Sequence, residues 1–139
     1  MTARTKIFIA EYDCARLISL MLWLEQFPEF EITGTAQFGT DLLRRIKDSQ
    51  PDVVLLDFNP ETIDSLPIVR AIRTSATSAA ILATTSGETC VKDCLKASEA
   101  DEVINPSSSI KDLCESIRRV VNKRRMAVAA ANVPMTKAG

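Results

Sequence analysis

Apolar residues recur along the chain with two different spacings, and these spacings predict strands and helices in strict alternation. Short apolar runs predict five strands, at 6–10, 30–36, 53–57, 79–84 and 102–104. Apolar positions three and four residues apart predict five helices, at 14–27, 40–48, 64–75, 88–98 and 109 to about 125. Such alternation is typical of one parallel sheet covered on both faces. We therefore expect a single doubly wound α/β domain with a five-stranded, flavodoxin-like sheet and five helices.

The third predicted strand is the most informative segment. Four aliphatic residues, 53–56, run directly into Asp57. A run without polar alternation has no solvated face, so we expect a strand that is buried on both sides. Asp57 then lies at the carboxyl end of a parallel strand, the edge at which open α/β sheets bind their ligands. The alternative is that Asp57 serves only as a turn or capping residue.

Polar residues also follow two other predicted strands. Glu11 and Asp13 follow the first strand, and the run 84–86 (Thr-Thr-Ser) ends the fourth. Carboxylates that converge in one pocket repel each other and recruit a cation, and oxygen ligands favour Mg²⁺. Asp57 would then be a carboxylate nucleophile that accepts a phosphoryl group, with the Thr85 hydroxyl as a hydrogen-bond partner. The alternative is a set of ordinary strand-end residues that face water.

Composition narrows the chemistry that this edge can perform. The 139 residues suit one domain, and a content of 46% hydrophobic residues with a net charge of −1 is ordinary for a globular protein. The absence of histidine excludes Ser-His-Asp and Cys-His hydrolases, and the four glycines form no phosphate-binding loop. Near-neutral charge argues against a surface that binds nucleic acid throughout. Any catalysis would have to use carboxylates, hydroxyls or a metal ion, and on the complete set of sequence features we expect a protein that is not an enzyme.

Signals for a membrane or for export are not visible in the sequence. The longest mostly apolar stretch, 17–24, is too short to span a bilayer, and the N-terminal residues do not form a signal peptide. We therefore expect a cytoplasmic location, in which the four cysteines are reduced. Without histidine or a CxxC pair, zinc is disfavoured. Burial as small apolar side chains is the expected role of the cysteines, and a thiol pair between Cys90 and Cys94 is the alternative.

Several segments together resemble the receiver domain of two-component response regulators, over roughly residues 5 to 122. The resemblance rests on the apolar strand into Glu11, the segment 51–57 with Asp64 seven residues later, and the runs 81–86 and 100–106. It implies a receiver-like domain over residues 5–125, in which Asp57 accepts a phosphoryl group from a histidine kinase. The phosphorylated domain would then control an output, which we expect to be transcription.

The resemblance also implies roles for the polar strand ends. The implied ligands of Mg²⁺ are Glu11, Asp57 and Asn59, with Asp13 as a weaker candidate, and the implied phosphoryl contacts are Thr85 and Ser86. Thr85 would be the switch hydroxyl that follows the phosphoryl group. Three positions depart from the family pattern, and one of them is Pro60, which stands where an aliphatic residue before a proline is usual. Tyr12 replaces the second acid after the first strand. Asn105 replaces the lysine that precedes the proline after the last strand, and this replacement removes a charge-assisted contact with the phosphoryl group.

These departures leave a second class of function open. The chain would then be an atypical receiver that serves as a protein-interaction or dimerisation module without being phosphorylated. A third and weaker class is a small flavodoxin-like enzyme or flavin carrier. It is disfavoured because the first strand is followed by no phosphate-binding loop.

The segment 27–36 followed by Gly39 resembles receivers that are attached to LuxR-type helix-turn-helix domains. We expect residues 126–139 to be a linker or disordered tail. Contact with DNA is therefore expected only through an output domain that is not present in this chain. The last predicted helix carries a group of basic residues near its C-terminal end. Because cations are favourable at that end of the helix dipole, we interpret the group as a solvated helix face, and a nucleic-acid surface is the alternative. The members of the group are Arg118, Arg119, Lys123, Arg124 and Arg125.

The apolar residues of the first predicted helix exceed what one core-facing stripe requires. The expected core stripe consists of Leu17, Leu20, Met21, Leu24 and Phe27. Ile18 and Leu22 fall outside this stripe and Trp23 lies on its flank, so we expect a homodimer that forms through this face. The last helix is a rival surface, because receivers commonly dimerise there. The other alternative is that neighbouring loops cover these side chains.

Overall fold

The computed structural model of the chain describes residues 4–11, 13–37, 41–58, 65–75, 78–85, 100–104 and 109–132. At Asp57, Phe58, 65–67, Thr85 and Asn132 the description covers the backbone only. The described elements are β1 (Thr5–Glu11), α1 (Cys14–Glu25), β2 (Phe30–Ala36), α2 (Leu42–Ser49), β3 (Val53–Phe58), α3 (Ser65–Thr74), β4 (Ala80–Thr85), β5 (Glu102–Ile104) and α4 (Ile110–Asn132).

The five strands form one sheet in the order β2-β1-β3-β4-β5, and every neighbouring pair is parallel. This order confirms the predicted doubly wound, flavodoxin-like fold. It also places the switch in chain direction between β1 and β3, because the chain moves from β1 outward to β2 and then back across the sheet to β3. The helix predicted at 88–98 lies outside the described residues.

Alternation along the strands divides the core between the two faces of the sheet. Successive strand residues point to opposite faces. One core contains Phe8, Ala10, Val54, Leu56, Ile81 and Ala83 and is covered by residues of α2 and α3. The other contains Ile7, Ile9, Val53, Leu55, Ala80 and Leu82 and is covered by α1 and α4. The central strands are fully buried on both sides, as the unbroken aliphatic run in β3 predicts.

The pairing of β1 with β2 contains a bulge that brings a glycine against an aromatic ring. Ile7 pairs with Ile32 but Phe8 pairs with Gly34, so Thr33 is the extra residue. A Cβ atom at Gly34 would lie 2.8 Å from the Cδ2 atom of Phe8. The bulge is further held by Thr33, whose hydroxyl lies 2.7 Å from the hydroxyl of Ser49 at the end of α2. Glycine is therefore required here for space.

The last helix is longer than predicted. α4 continues to Asn132, so residues 126–132 are helical, and the assignment of 126–139 to a linker or tail stays a prediction. The added segment is alanine-rich and contains no proline, and such residues extend a helix that has already formed. Its start is held to the domain, because Arg124 donates to the Ser78 carbonyl at 3.3 Å and Arg125 pairs with Asp52 at 3.5 Å.

Two further helix ends differ from the prediction by two residues. α1 ends at Glu25 rather than residue 27, with Gln26 as its C-cap, since the backbone turns before Pro28. α2 begins at Leu42, and its N-cap position is taken by Asp41, one residue after the predicted cap Thr40, which lies outside the described residues. None of the helices described is both long enough and apolar enough to cross a bilayer.

Candidate functional site

The strand register places the predicted phosphoacceptor position at the centre of the carboxyl edge. The Cα of Asp57 in β3 pairs with Glu11 in β1 on one side and with Thr84 in β4 on the other. These three residues therefore lie at one level across the three central strands. The level coincides with the β1–β3 switch point, where doubly wound sheets bind their ligands.

Thr84, rather than Thr85, is the residue of β4 at the level of Asp57. Thr85 pairs with Phe58, one step further along the strands. Thr84 is buried, with 5% of its surface exposed. A threonine at a strand end that faced water would be largely exposed. The resemblance implies the switch role for Thr85, and that role stays a prediction; the register adds Thr84 as a second candidate, because strand register cannot be read from adjacent threonines in the sequence. Ser86, the other implied contact, lies outside the described residues.

Glu11 carries a buried carboxylate at this edge. Its side chain is 3% exposed, and its Oε1 atom accepts a hydrogen bond of 3.0 Å from the backbone N–H of Asp13. The Oε2 atom lies 3.5 Å from the Nε atom of Arg16, whose side chain is about one-third exposed. A carboxylate buried to this extent requires an opposite charge, and the Arg16 guanidinium supplies it. Arg16 is not recognisable as a site residue from the sequence, because its partner Glu11 lies in a different element.

Asp13, the weaker metal candidate, caps the first helix. Its Oδ1 atom accepts hydrogen bonds from the backbone N–H groups of Ala15 at 2.9 Å and Arg16 at 3.4 Å. The carboxylate therefore satisfies two free donors of α1 and lies at the positive end of the helix dipole. A metal contact by Asp13 would have to be shared with this cap, and that role stays a prediction.

The described donors do not by themselves form a magnesium site. Within the described ranges, no three His, Cys, Asp or Glu side chains come together in a way that could hold a metal ion. Glu11 is paired with Arg16, and Asp13 is engaged as a helix cap. The positions Tyr12, Asn59 and Asn105 lie outside the described residues. Mg²⁺ binding therefore remains a prediction, and any cation at Glu11 would have to displace or accompany Arg16.

The exposed face of α1 agrees with the predicted helix phase. Ile18, Leu22 and Trp23 are 52%, 58% and 47% exposed. Of the predicted core stripe, Leu20 and Leu24 are buried, and the other three residues pack against the same core. The described parts of the neighbouring loops leave these three apolar side chains accessible. Self-association through them stays a prediction, since exposure alone does not identify a partner.

The basic group on α4 is largely neutralised by partners. Arg118 forms a bidentate pair with Glu29, and Arg119 pairs with Glu102. The hydrogen bond from Arg118 lowers the pKa of the Glu29 carboxyl below its ordinary value. Arg118 also stacks over the ring of Phe30 at 5.7 Å. These contacts support a structural role for the arginines rather than a surface prepared for nucleic acid.

The described cysteines divide into one buried and one exposed thiol. Cys114 is buried in the core under α4, and this burial raises the pKa of its thiol. That agrees with the expected role as a small apolar side chain. Cys14 is exposed in the first turn of α1 and so differs from the expectation. Cys90 and Cys94 lie outside the described residues.

Comparison with solved structures identifies the fold. A DNA-binding response regulator of the LuxR family from Staphylococcus aureus superposes with a TM-score of 0.76 and 23% identity, covering 85% of this chain and 99% of that one. The response regulator domain of CheB from Thermotoga maritima gives 0.72 and 17%, covering 86% and 97%. A LuxR-family two-component response regulator from Aurantimonas gives 0.79 and 18%, covering 88% of each. The chain thus has the fold of a response-regulator receiver domain.

Comparison of sequences finds relatives that are longer enzymes. The chain is 27% identical over 111 residues to a protein-glutamate methylesterase/protein-glutamine glutaminase from Geobacter sulfurreducens, covering 79% of the chain and 30% of the relative. A protein of the same name from Halalkalibacterium halodurans is 24% identical over 138 residues, covering 97% and 39%. The chain thus spans about a third of the length of the curated relatives that it matches. No protein-family model matches the chain.

Proposed function

We propose that this chain is the receiver domain of a two-component response regulator and that Asp57 accepts a phosphoryl group from a histidine kinase. The observation that carries the proposal is the alignment of Glu11, Asp57 and Thr84 at one level of the carboxyl edge, beside the switch point of a receiver fold. This is where a doubly wound sheet holds its ligand. We place the phosphoryl transfer from the kinase in the cytoplasm. This compartment is reducing, so an exposed thiol such as that of Cys14 stays reduced there.

The proposed reaction is a phosphoryl transfer to a carboxylate. An oxygen of Asp57 attacks the phosphorus of the phosphohistidine, the N–P bond breaks, and the imidazole leaves with its electron pair and takes up a proton. The product is an aspartyl phosphate. A hydroxyl of β4 would donate a hydrogen bond to a phosphoryl oxygen; the resemblance implies Thr85 for this role, and the register of Thr84 with Asp57 supports Thr84 as the other candidate. A bound Mg²⁺ would offset the negative charge that gathers on the phosphoryl oxygens.

The output of the proposed switch is assigned by analogy. Similar solved structures include a DNA-binding response regulator of the LuxR family, which supports control of transcription as the output. The methylesterase relatives support a second output, the control of a catalytic domain. The matched chain of Thermotoga maritima CheB is its response regulator domain, so that similarity supports a receiver and no catalytic chemistry. The chain itself is proposed to be non-enzymatic.

A second candidate function is an interaction module that acts without phosphorylation. The ion pair between Glu11 and Arg16 supports it, because the acid expected to serve a cation already has one. The replacements at Tyr12 and Asn105 support it as well. In this function the exposed face of α1 would bind its partner regardless of the state of Asp57.

Treatment with a small phosphodonor separates the two functions. The purified chain is incubated with acetyl phosphate and Mg²⁺, and the intact mass is measured. The receiver function predicts the gain of one phosphoryl group, which Asp57→Asn abolishes and the matched control Asp48→Asn, on the exposed side of α2, retains. Absence of the adduct in the unmodified chain, or its persistence in Asp57→Asn, would contradict the proposal. Absence would favour the interaction module.

A further inference from the structure

Arg16 is the basic residue that the structure places against the buried carboxylate of Glu11. The Nε atom lies 3.5 Å from Oε2, and the Glu11 side chain is 3% exposed. The Glu11 carboxylate lies at the level of Asp57, on the side of the site that the sequence predicts for the cation. A buried carboxylate is stable only with a compensating charge. In this structure the guanidinium of Arg16, a side chain of the protein itself, provides that compensating charge.

The position of Arg16 in its helix gives a second and independent indication. With Asp13 as the N-cap, Arg16 is the third residue of α1, and the first turn contains no acidic residue. A cation in the first turn is unfavourable for the helix, because the helix dipole is positive at this end. Helix formation alone therefore does not explain an arginine at this position. The contact with Glu11 does.

We infer that Arg16 is a built-in counter-cation that occupies the cation side of the site and keeps the unphosphorylated domain stable without a metal ion. A divalent cation and the guanidinium would use the same Glu11 carboxylate, so they compete. The inference rests on the proposed function only in treating this edge as the receiver's cation site. Phosphorylation takes no part in the measurement below, so failure of one proposal is distinguishable from failure of the other.

The test compares Arg16→Gln with Arg16→Lys and with Arg44→Gln. Arg44 serves as the matched control because it forms an exposed pair with Asp41 on α2. Melting temperatures are measured in EDTA and in MgCl₂ at equal ionic strength, and Mg²⁺ is titrated with Trp23 fluorescence as the signal. We expect Arg16→Gln to melt about 5–10 °C lower in EDTA and to recover with Mg²⁺. Its apparent Mg²⁺ affinity should exceed that of the unmodified chain by about tenfold.

The controls define the outcomes. Arg16→Lys keeps a positive charge and should resemble the unmodified chain, and Arg44→Gln should do the same in both buffers. Equal Mg²⁺ affinity in Arg16→Gln and the unmodified chain would overturn the inference, as would a complete lack of Mg²⁺ binding by Arg16→Gln. If Arg16→Gln does not fold in EDTA, Glu11→Gln/Arg16→Gln removes both charges. That double variant should fold and show no response to Mg²⁺, and a response would equally overturn the inference.

Discussion

Thr84 and Asp57 are register partners in the central strands β4 and β3, so a buried threonine lies at the level of the proposed phosphoacceptor. The adjacent Thr85 pairs with Phe58 instead. The two threonines thus occupy successive positions on a strand, and successive positions face opposite sides of a sheet. The structure therefore distinguishes two residues that the sequence presents as equivalent.

This relationship predicts different effects for two isosteric variants. Thr84→Val removes the hydroxyl but keeps the shape, and should weaken binding of beryllofluoride with Mg²⁺ by about 3–10-fold, the value of one hydrogen bond. Thr85→Val should change it by less than about twofold. Titration monitored by Trp23 fluorescence measures both. A larger effect at Thr85 would instead support the switch role that the resemblance implies for that residue.

The exposed face of α1 predicts the behaviour of a double variant. Ile18 and Leu22 are more than half exposed, so changing both to lysine should leave the fold intact and convert a dimer to a monomer. Removal of apolar surface from water contributes roughly 25 cal/mol per Å², so this face can contribute a few kcal/mol to a symmetric dimer. Light scattering after gel filtration measures the mass. A dimer that persists would move the interface elsewhere, with α4 as the first candidate.

Leu20→Lys is the matched control for that experiment. Leu20 lies on the same helix and is 4% exposed, so a lysine there would be buried in the core. This variant should unfold or lose most of its stability, as measured by circular dichroism. If instead Ile18→Lys/Leu22→Lys unfolds, those side chains contribute to the core.

The pair between Glu29 and Arg118 predicts a pH-dependent difference between the unmodified chain and Glu29→Gln. Hydrogen bonding to Arg118 lowers the pKa of Glu29 below its ordinary value of 4.5. A group with a lowered folded-state pKa contributes stability above its unfolded pKa and loses it as the pH falls through the folded pKa. The stability difference should therefore be constant from neutral pH to about pH 5 and vanish below the lowered pKa.

Its size should be modest, because both side chains are nearly half exposed and the pair is screened by solvent. Urea unfolding at a series of pH values measures it, and added salt should reduce it. A difference that persists unchanged at the lowest pH would show that Glu29 acts through packing rather than charge.

A buried ion pair fixes the strand β5 to the rest of the domain. Arg73 near the end of α3 binds Asp101 at 2.6 Å, and both side chains are nearly buried. The same Asp101 oxygen accepts a hydrogen bond from the backbone N–H of Ile81 at 2.7 Å. Asp101→Ala should lower the free energy of unfolding by about 3–5 kcal/mol, since it removes the carboxylate that accepts from both the largely buried Arg73 guanidinium and the Ile81 N–H. Asp41→Ala, which removes an exposed pair, should cost less than about 1 kcal/mol.

The features that could be predicted from the sequence are those that depend on the local spacing of apolar and polar residues. The bounds of β2 and β5 agree with the prediction residue for residue. Each of these strands has polar residues directly before and after it, and these residues mark its ends in the sequence. The two-sided burial of β3 followed from its aliphatic run. The core phase of α1, including the exposure of Ile18 and Leu22, followed from the angle of about 100° per residue.

The features that could not be predicted depend on contacts between elements. Thr84 rather than Thr85 lies level with Asp57 because of strand register, which no local pattern records. The pairing of Arg16 with Glu11 joins a helix to a strand across a turn. The extension of α4 past residue 125 was missed because its small apolar residues have the composition of a linker, whereas an existing helix propagates through them readily.

The contact between Gly34 and Phe8 has a consequence for related sequences. Because a Cβ at position 34 would overlap the ring at position 8, the two positions are expected to co-vary among homologues. Chains with an aromatic residue in the first strand should keep glycine opposite it, and chains with a smaller residue there should admit alanine or serine. An alignment could therefore use this pair to fix the bulged pairing of the first two strands, where simple residue counting would slip by one.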